Sequence, residues 1–239
     1  MKAQVWAQIA TVPLLLGLSA CNRHDAPSNQ LAQSAKKLVG AATPTPAPLA
    51  DGPYAPRDTC HGVKGADDFR RQLADAVVAR DPEALLALAA NDIKLDFGGG
   101  GGRAELKQRL TDKQWKLWDE LDQLLQLGCA ANQQGGITLP WYFEQHIDKV
   151  DATSGMLVTG ENVPLLSGPD PKSQAVGAIS WDVVSLDTPM PDDPYQSVTT
   201  TDGKKGYIAT DKLRSLIDYR LMASQRNGKW SIVALVSGD

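Results

Sequence analysis

Six side chains in this sequence have nucleophilic or metal-binding chemistry: Cys21, Cys60 and Cys129, with His24, His61 and His146. A thiol beside an imidazole is the nucleophile–base pair of a cysteine hydrolase, which makes Cys129 with His146 one candidate. The competing chemistry is a disulfide between Cys60 and Cys129. In an oxidising compartment an even pair in an otherwise cysteine-free stretch is expected to bond. The surroundings of Cys129, Leu127-Gly128-Cys129-Ala130-Ala131, lack the strand-to-helix placement usual for a cysteine nucleophile, which favours the disulfide. Closing a loop of that length contributes about 4 kcal/mol in the chain-entropy model. Two histidines without clustered carboxylates beyond residue 58 make a metal site improbable, and no cofactor is expected. The sequence holds no Gly-x-Ser-x-Gly elbow, His-Glu-x-x-His, Cys-x-x-Cys or phosphate loop, so the expectation is not an enzyme.

Two further groups of residues have binding chemistry. Five glycines at 98–102 precede Arg103-Ala104-Glu105-Leu106. Free N–H groups there would suit an anion at a helix N-terminus. The run lacks the Lys and Ser/Thr of a nucleotide loop, so a flexible connection or a close backbone approach is expected instead. Trp181, Tyr195 and Tyr207 are candidates for an aromatic shelf of the kind that holds extended peptides, against the alternative that all three pack inside. Trp115 and Trp118, at i and i+3, read as helix core.

The third thiol sits differently. Lys2 is followed by an apolar stretch over 5–18, interrupted by Gln8 and Pro13, that is too short to span a bilayer. Leu18-Ser19-Ala20-Cys21 closes it, and this tetrapeptide resembles the lipobox of bacterial lipoproteins. The resemblance implies a signal peptide at 1–20 and a diacylglyceryl thioether on Cys21, which becomes the N-terminus. Two or three acyl chains anchor stably where one does not. Asn22 and Arg23, with no Asp after the Cys, imply an outer-membrane destination facing the periplasm. Loss of Lys2 takes the formal charge from −4 to −5. A mildly acidic chain without a basic run argues against nucleic acid as a partner.

The elements that would position these groups follow from composition and period. Residues 21–58 form a lipidated N-terminus and Pro/Ala-rich linker, with Ala-Thr-Pro-Thr-Pro-Ala-Pro at 42–48 biased to an extended form. Helical spacing begins at Asp67 and restarts after the Asp81-Pro82 cap. Residues 93–97 alternate as a short strand, 103–110 and 115–127 read as helices, and 137–145 as a strand bent by Pro140. From residue 155 short β runs and turns recur every eight to twelve residues. Asn227-Gly228 marks a hairpin between 217–225 and 230–236.

Residues 157–213 resemble a bacterial SH3-type domain. The matching pieces are Leu157-Val158-Thr159-Gly160-Glu161-Asn162-Val163, Leu165-Leu166-Ser167-Gly168-Pro169, Ala175-Val176-Gly177-Ala178-Ile179 and Asp202-Gly203-Lys204-Lys205-Gly206-Tyr207-Ile208-Ala209. The family commonly has Arg where Leu166 stands and Trp near Tyr195. The flanks resemble an envelope lipoprotein family in which such a module is inserted before the last hairpin of a helix-plus-sheet domain. The expected fold is therefore α+β: a helix-rich domain with a curved antiparallel sheet at 59–154, and a small SH3-like β barrel at 155–213. Residues 214–239 either return to the first domain or extend the barrel. The resemblance implies a non-catalytic, membrane-anchored envelope lipoprotein whose SH3-like module binds cell-wall (peptidoglycan) peptide or an envelope protein. The alternatives are an accessory or inhibitor lipoprotein acting through the helical domain, and a thiol-dependent wall hydrolase using Cys129 and His146.

Overall fold

The computed structural model of the chain describes residues 50–189 and 192–238. The expected signal peptide at 1–20, the expected lipidation site Cys21 and the proline-rich stretch at 42–48 lie outside the described residues.

Among the described residues the fold is mixed α and β, with four α-helices and two sheets. Helix α1 (Ala66–Val78) carries Asp67 and Asp68 in its first turn, where acidic groups suit the helix dipole, and buries Phe69, Leu73 and Val77. Helix α2 (Pro82–Leu88) starts as its sequence dictates: Asp81 accepts from the N–H groups of Glu83 and Ala84 at 3.0 and 3.1 Å, and proline takes the first turn. Strand β1 (Ala89–Lys94) follows directly, four residues earlier than the alternation at 93–97 suggests. Helices α3 (Arg103–Thr111) and α4 (Leu117–Gln126) come next. The single helix expected over 115–127 is broken because Lys116 adopts a left-handed φ of 47°, leaving Lys113–Trp115 as a 3-10 turn. Trp115 is accordingly 42% exposed, with the Arg109 guanidinium 4.3 Å from its ring, and only Trp118 packs against the core.

Two short strands, β2 (Ala130–Ala131) and β3 (Ile137–Leu139), complete this part of the chain. The strand expected over 137–145 stops at Pro140, where a 3-10 turn (Trp141–Glu144) takes over. Seven strands follow: β4 (Gly155–Val158), β5 (Val163–Leu166), β6 (Ala175–Ile179), β7 (Val183–Leu186), β8 (Tyr195–Thr200), β9 (Lys205–Ala209) and β10 (Leu213–Ser215). The chain ends with β11 (Arg220–Arg226) and β12 (Lys229–Val236), joined by Asn227 and Gly228, both at positive φ. That is the conformation a two-residue hairpin turn requires.

The first sheet has the order β1-β12-β11-β3-β2, so the last hairpin sits at its centre. It is a mixed sheet: β1 runs parallel to β12 and the other pairs are antiparallel, which corrects the expectation of an antiparallel sheet. The partners β1 and β12 are distant in sequence, and their relative direction has no local signal. Leu221, Ala223, Ile232 and Leu235 point to the four helices and form one core with them. The second sheet has the order β10-β4-β7-β8-β9-β5-β6 and every pair in it is antiparallel. It does not close. Strand β6 pairs only with β5 and β10 only with β4, so the expected barrel is an open sheet whose two edges stay apart.

The two sheets share a joint. Residues 51–58, linker by composition, run through it: Tyr54 and Ala55 are buried, and the Tyr54 N–H donates to the Trp181 carbonyl at 2.9 Å. Tyr54 packs with Leu127, Trp141 and Tyr142 from the first part and Leu157 and Val183 from the second. Close backbone approach here needs glycine. Gly128 has φ of 81°, and a Cβ on it would lie 2.2 Å from the Arg57 carbonyl oxygen. Gly128→Ala is therefore expected to cost more than the ~1 kcal/mol of an ordinary glycine-to-alanine mismatch, read as a fall in the urea midpoint. An unchanged midpoint would mean that residue 57 moves aside freely.

Candidate functional site

The chemistry open to Cys60 and Cys129 is settled by where their sulfurs are. Cys60 and Cys129 are both fully buried and joined in a disulfide, with their Cα atoms 5.8 Å apart across a separation of 69 residues. His146 lies elsewhere: its side chain is 90% exposed and faces Asp148 at 3.6 Å. The structure thus does not bring Cys129 and His146 together. Backbone contacts surround the bridge, with the Cys129 N–H donating to the Arg57 carbonyl and the Thr59 N–H to the Cys129 carbonyl, each at 2.9 Å.

Asp58 has its carboxylate close to the two sulfurs, which makes the three residues a candidate metal group by distance. The chemistry disagrees. The sulfurs are bonded to each other, and the carboxylate receives both ends of the buried Arg70 guanidinium at 3.0 and 2.5 Å. His61 lies alongside, with Nε2 3.2 Å from Asp58 and Nδ1 3.1 Å from Asp67. This is a staple of one covalent bond and a charge cluster.

The glycine run resolves just as plainly. Three of its N–H groups are taken from within: Gly100 donates to Asp96 and Gly101 to Glu105, both at 2.7 Å, and Gly102 to the Ile93 carbonyl at 2.8 Å. A Cβ at Gly101 would fall 2.5 Å from that same carbonyl. The run returns the chain tightly against β1 and is not an anion cradle. Asp96 is held below the usual carboxylate range, first by the Gly100 N–H and then by Arg109 at 2.6 Å.

Of the three aromatic candidates the fold brings two together. In β8 and β9, Ser197 lies opposite Tyr207 and Tyr195 opposite Ala209, so the two tyrosines are diagonal neighbours on one face. At that spacing aromatic side chains reach each other. Val198 and Ile208 alternate with them and are fully buried, which leaves the tyrosine face half-exposed and shared with Ser197 and Thr199. Asp187 is tied into the same strip: Thr199 and Ser197 donate to it at 2.6 and 2.7 Å and hold its carboxyl below the ordinary range. Trp181 is separate from this face. It has φ of 44°, packs into the joint beside Tyr54, and supports the connection between the sheets instead of offering a surface.

A larger hollow lies on the first sheet, beside Phe97, Phe143 and Arg220, residues with no motif around them. Period-two alternation alone would have placed Arg220 and Met222 on the face opposite Leu221 and Ala223. Among the described residues no helix is long and apolar enough to cross a membrane. No protein-family model, curated protein or solved structure matches this chain, and what it does is read from its geometry.

Proposed function

We propose that this chain is a lipid-tethered, non-catalytic binding protein of the bacterial envelope, anchored through Cys21 and facing the periplasm. In this reading its second sheet is an SH3-like module that takes an extended peptide of the wall or of an envelope protein. The observation that carries it is the pairing of Tyr195 and Tyr207 on one half-exposed face of β8 and β9. Flat aromatic surface flanked by hydroxyls and by backbone is what extended peptides dock against. Burial of both thiols in a disulfide favours this reading over a thiol hydrolase, since a bonded sulfur offers no thiolate.

The test is retention on purified peptidoglycan sacculi. The wild type is expected to pellet with them, and Tyr195→Ala/Tyr207→Ala is expected to lose roughly tenfold in affinity, the effect of removing one hot-spot aromatic contact or more. Trp181→Ala is the informative control. Because Trp181 packs in the joint, that change should lower stability and leave the affinity of the folded fraction unaltered. Binding that survives the double tyrosine variant would sink the peptide face.

A further inference from the structure

The half-exposed face of the second sheet that carries Tyr195 and Tyr207 also carries two opposite charges. Alternation along β9 puts Lys205 on the side of Tyr207, opposite Thr199 of β8. Asp187 follows directly on β7. Its N–H donates to the Ser197 carbonyl at 3.1 Å, and its carboxylate receives the Thr199 and Ser197 hydroxyls on separate oxygens. Ser197 is in turn opposite Tyr207. The row Asp187, Ser197, Tyr207 therefore crosses three strands. Lys205 stands one step along β9 from this row, and Tyr195 one step along β8 on its other side.

Neither charge is neutralised within the fold. Asp187 and Lys205 are both exposed, and among the described residues neither makes an ion pair, with the other or with a third group. At ordinary strand spacing their Cα atoms are about 12 Å apart, which leaves room between the two heads. A carboxylate offers about four acceptor sites. The two hydroxyls fill one on each oxygen of Asp187, fix its orientation and leave the rest open. Opposite charges held apart beside aromatic rings match a ligand group with the inverse arrangement, an ammonium and a carboxylate on one carbon. A ligand of single charge would meet one repulsive partner. An ammonium gains further from a neighbouring tyrosine ring, and charge-assisted hydrogen bonds hold both ends.

We infer that this face recognises the zwitterionic end of the diamino diacid in a wall stem peptide, with its ammonium on Asp187, its carboxylate on Lys205 and its hydrocarbon stem across Tyr195 and Tyr207. This rests on the peptide-binding reading given above and names the residue of the peptide that is read.

The test is retention of the full chain on purified peptidoglycan sacculi, before and after acetylation of their free amines. Wild type should bind acetylated sacculi about tenfold more weakly than native ones. Asp187→Asn keeps an acceptor for Thr199 and a donor for Ser197, so the strip stays folded. It should lose about tenfold on native sacculi and no longer respond to acetylation. Asp75→Asn, an equal change of charge on the exposed side of α1, should behave as wild type. Lys205→Gln should also weaken binding to native sacculi. Bulk attraction between charged surfaces would move Asp187→Asn and Lys205→Gln in opposite directions, whereas recognition of a zwitterion weakens both. If wild type is retained equally by acetylated sacculi, or if those two variants shift in opposite directions, the inference is overturned while the peptide face stands. No retention of wild type on native sacculi would overturn the wall-binding reading and this inference together.

Discussion

Replacing Cys60 and Cys129 together by alanine is expected to lower the free energy of unfolding by about 4 kcal/mol, and reducing the wild-type protein should do the same. The size follows from the loop. The bridge closes a separation of 69 residues, long enough to remove much of the freedom of the unfolded chain. It also acts where the native structure is most exposed to disturbance from the N-terminal side. Residues 51–58 are held by the backbone pair of Arg57 and Thr59 with Cys129, by Asp58 on Arg70 and by Tyr54 on Trp181. On the proposed anchoring through Cys21, any pull from the membrane reaches the fold through this strip first. The disulfide then fixes the strip to the end of α4, so tension meets a covalent bond before it meets the core formed with the helices. Urea curves of the oxidised, reduced and doubly substituted proteins measure the effect. A loss below about 1 kcal/mol would mean that the bridge adds nothing beyond the packing around it.

Features decided by neighbouring residues are legible in the sequence. Asp81-Pro82 starts a helix because a side-chain acceptor and a fixed φ suffice, and Asn227-Gly228 turns a hairpin because both residues tolerate positive φ. The alternation of Val198 and Ile208 with Tyr195 and Tyr207 is equally local, which is why those tyrosines share a face. Features decided by distant partners are not legible. Trp181 looks like a surface aromatic at the end of a strand until Tyr54, far earlier in the chain, is laid against it. The glycines at 98–102 look alike, yet Gly101 is there because the Ile93 carbonyl passes where its Cβ would be. Closure of the second sheet depends on whether β6 and β10 meet, and no residue in either strand encodes that meeting. The parallel pairing of β1 with β12 is hidden for the same reason. The hollow beside Arg220 belongs to this second class, since its lining comes from three separated parts of the chain: 92–102, Phe143 and the hairpin of β11 and β12.

Arg214→Ala is expected to destabilise the protein by about 3 kcal/mol at neutral pH, and by less as the solution is acidified. Arg214 sits in β10 of the second sheet, is almost wholly buried, and reaches across to α4 of the first. Its guanidinium donates to Gln123 at 2.7 Å, to Glu120 at 3.3 Å and to the Tyr219 carbonyl at 3.1 Å, with Asp218 at 3.1 Å. Its Nε has no hydrogen-bond partner among the described residues, so the arginine is itself held at some cost. Removing it leaves two carboxylates side by side without their cation. Burial, and then the like charge of Asp218, already push the Glu120 carboxyl above its ordinary value, while Arg214 pulls it down. A carboxyl raised in the folded state binds its proton more readily there than in the unfolded chain. The strain it imposes is thus present above its raised folded value and is relieved as pH falls through that value toward the unfolded one. Without Arg214 the rise is larger and the relief greater. The stability difference between wild type and Arg214→Ala should therefore shrink on going from pH 7 to about pH 5, read from urea midpoints at each pH. The second substitution, Glu120→Gln in the Arg214→Ala background, should recover part of the loss at pH 7 and remove that part of the pH dependence due to Glu120. A pH-independent loss would show that Arg214 acts through packing against α4 alone, and that the two sheets are joined by shape and not by charge.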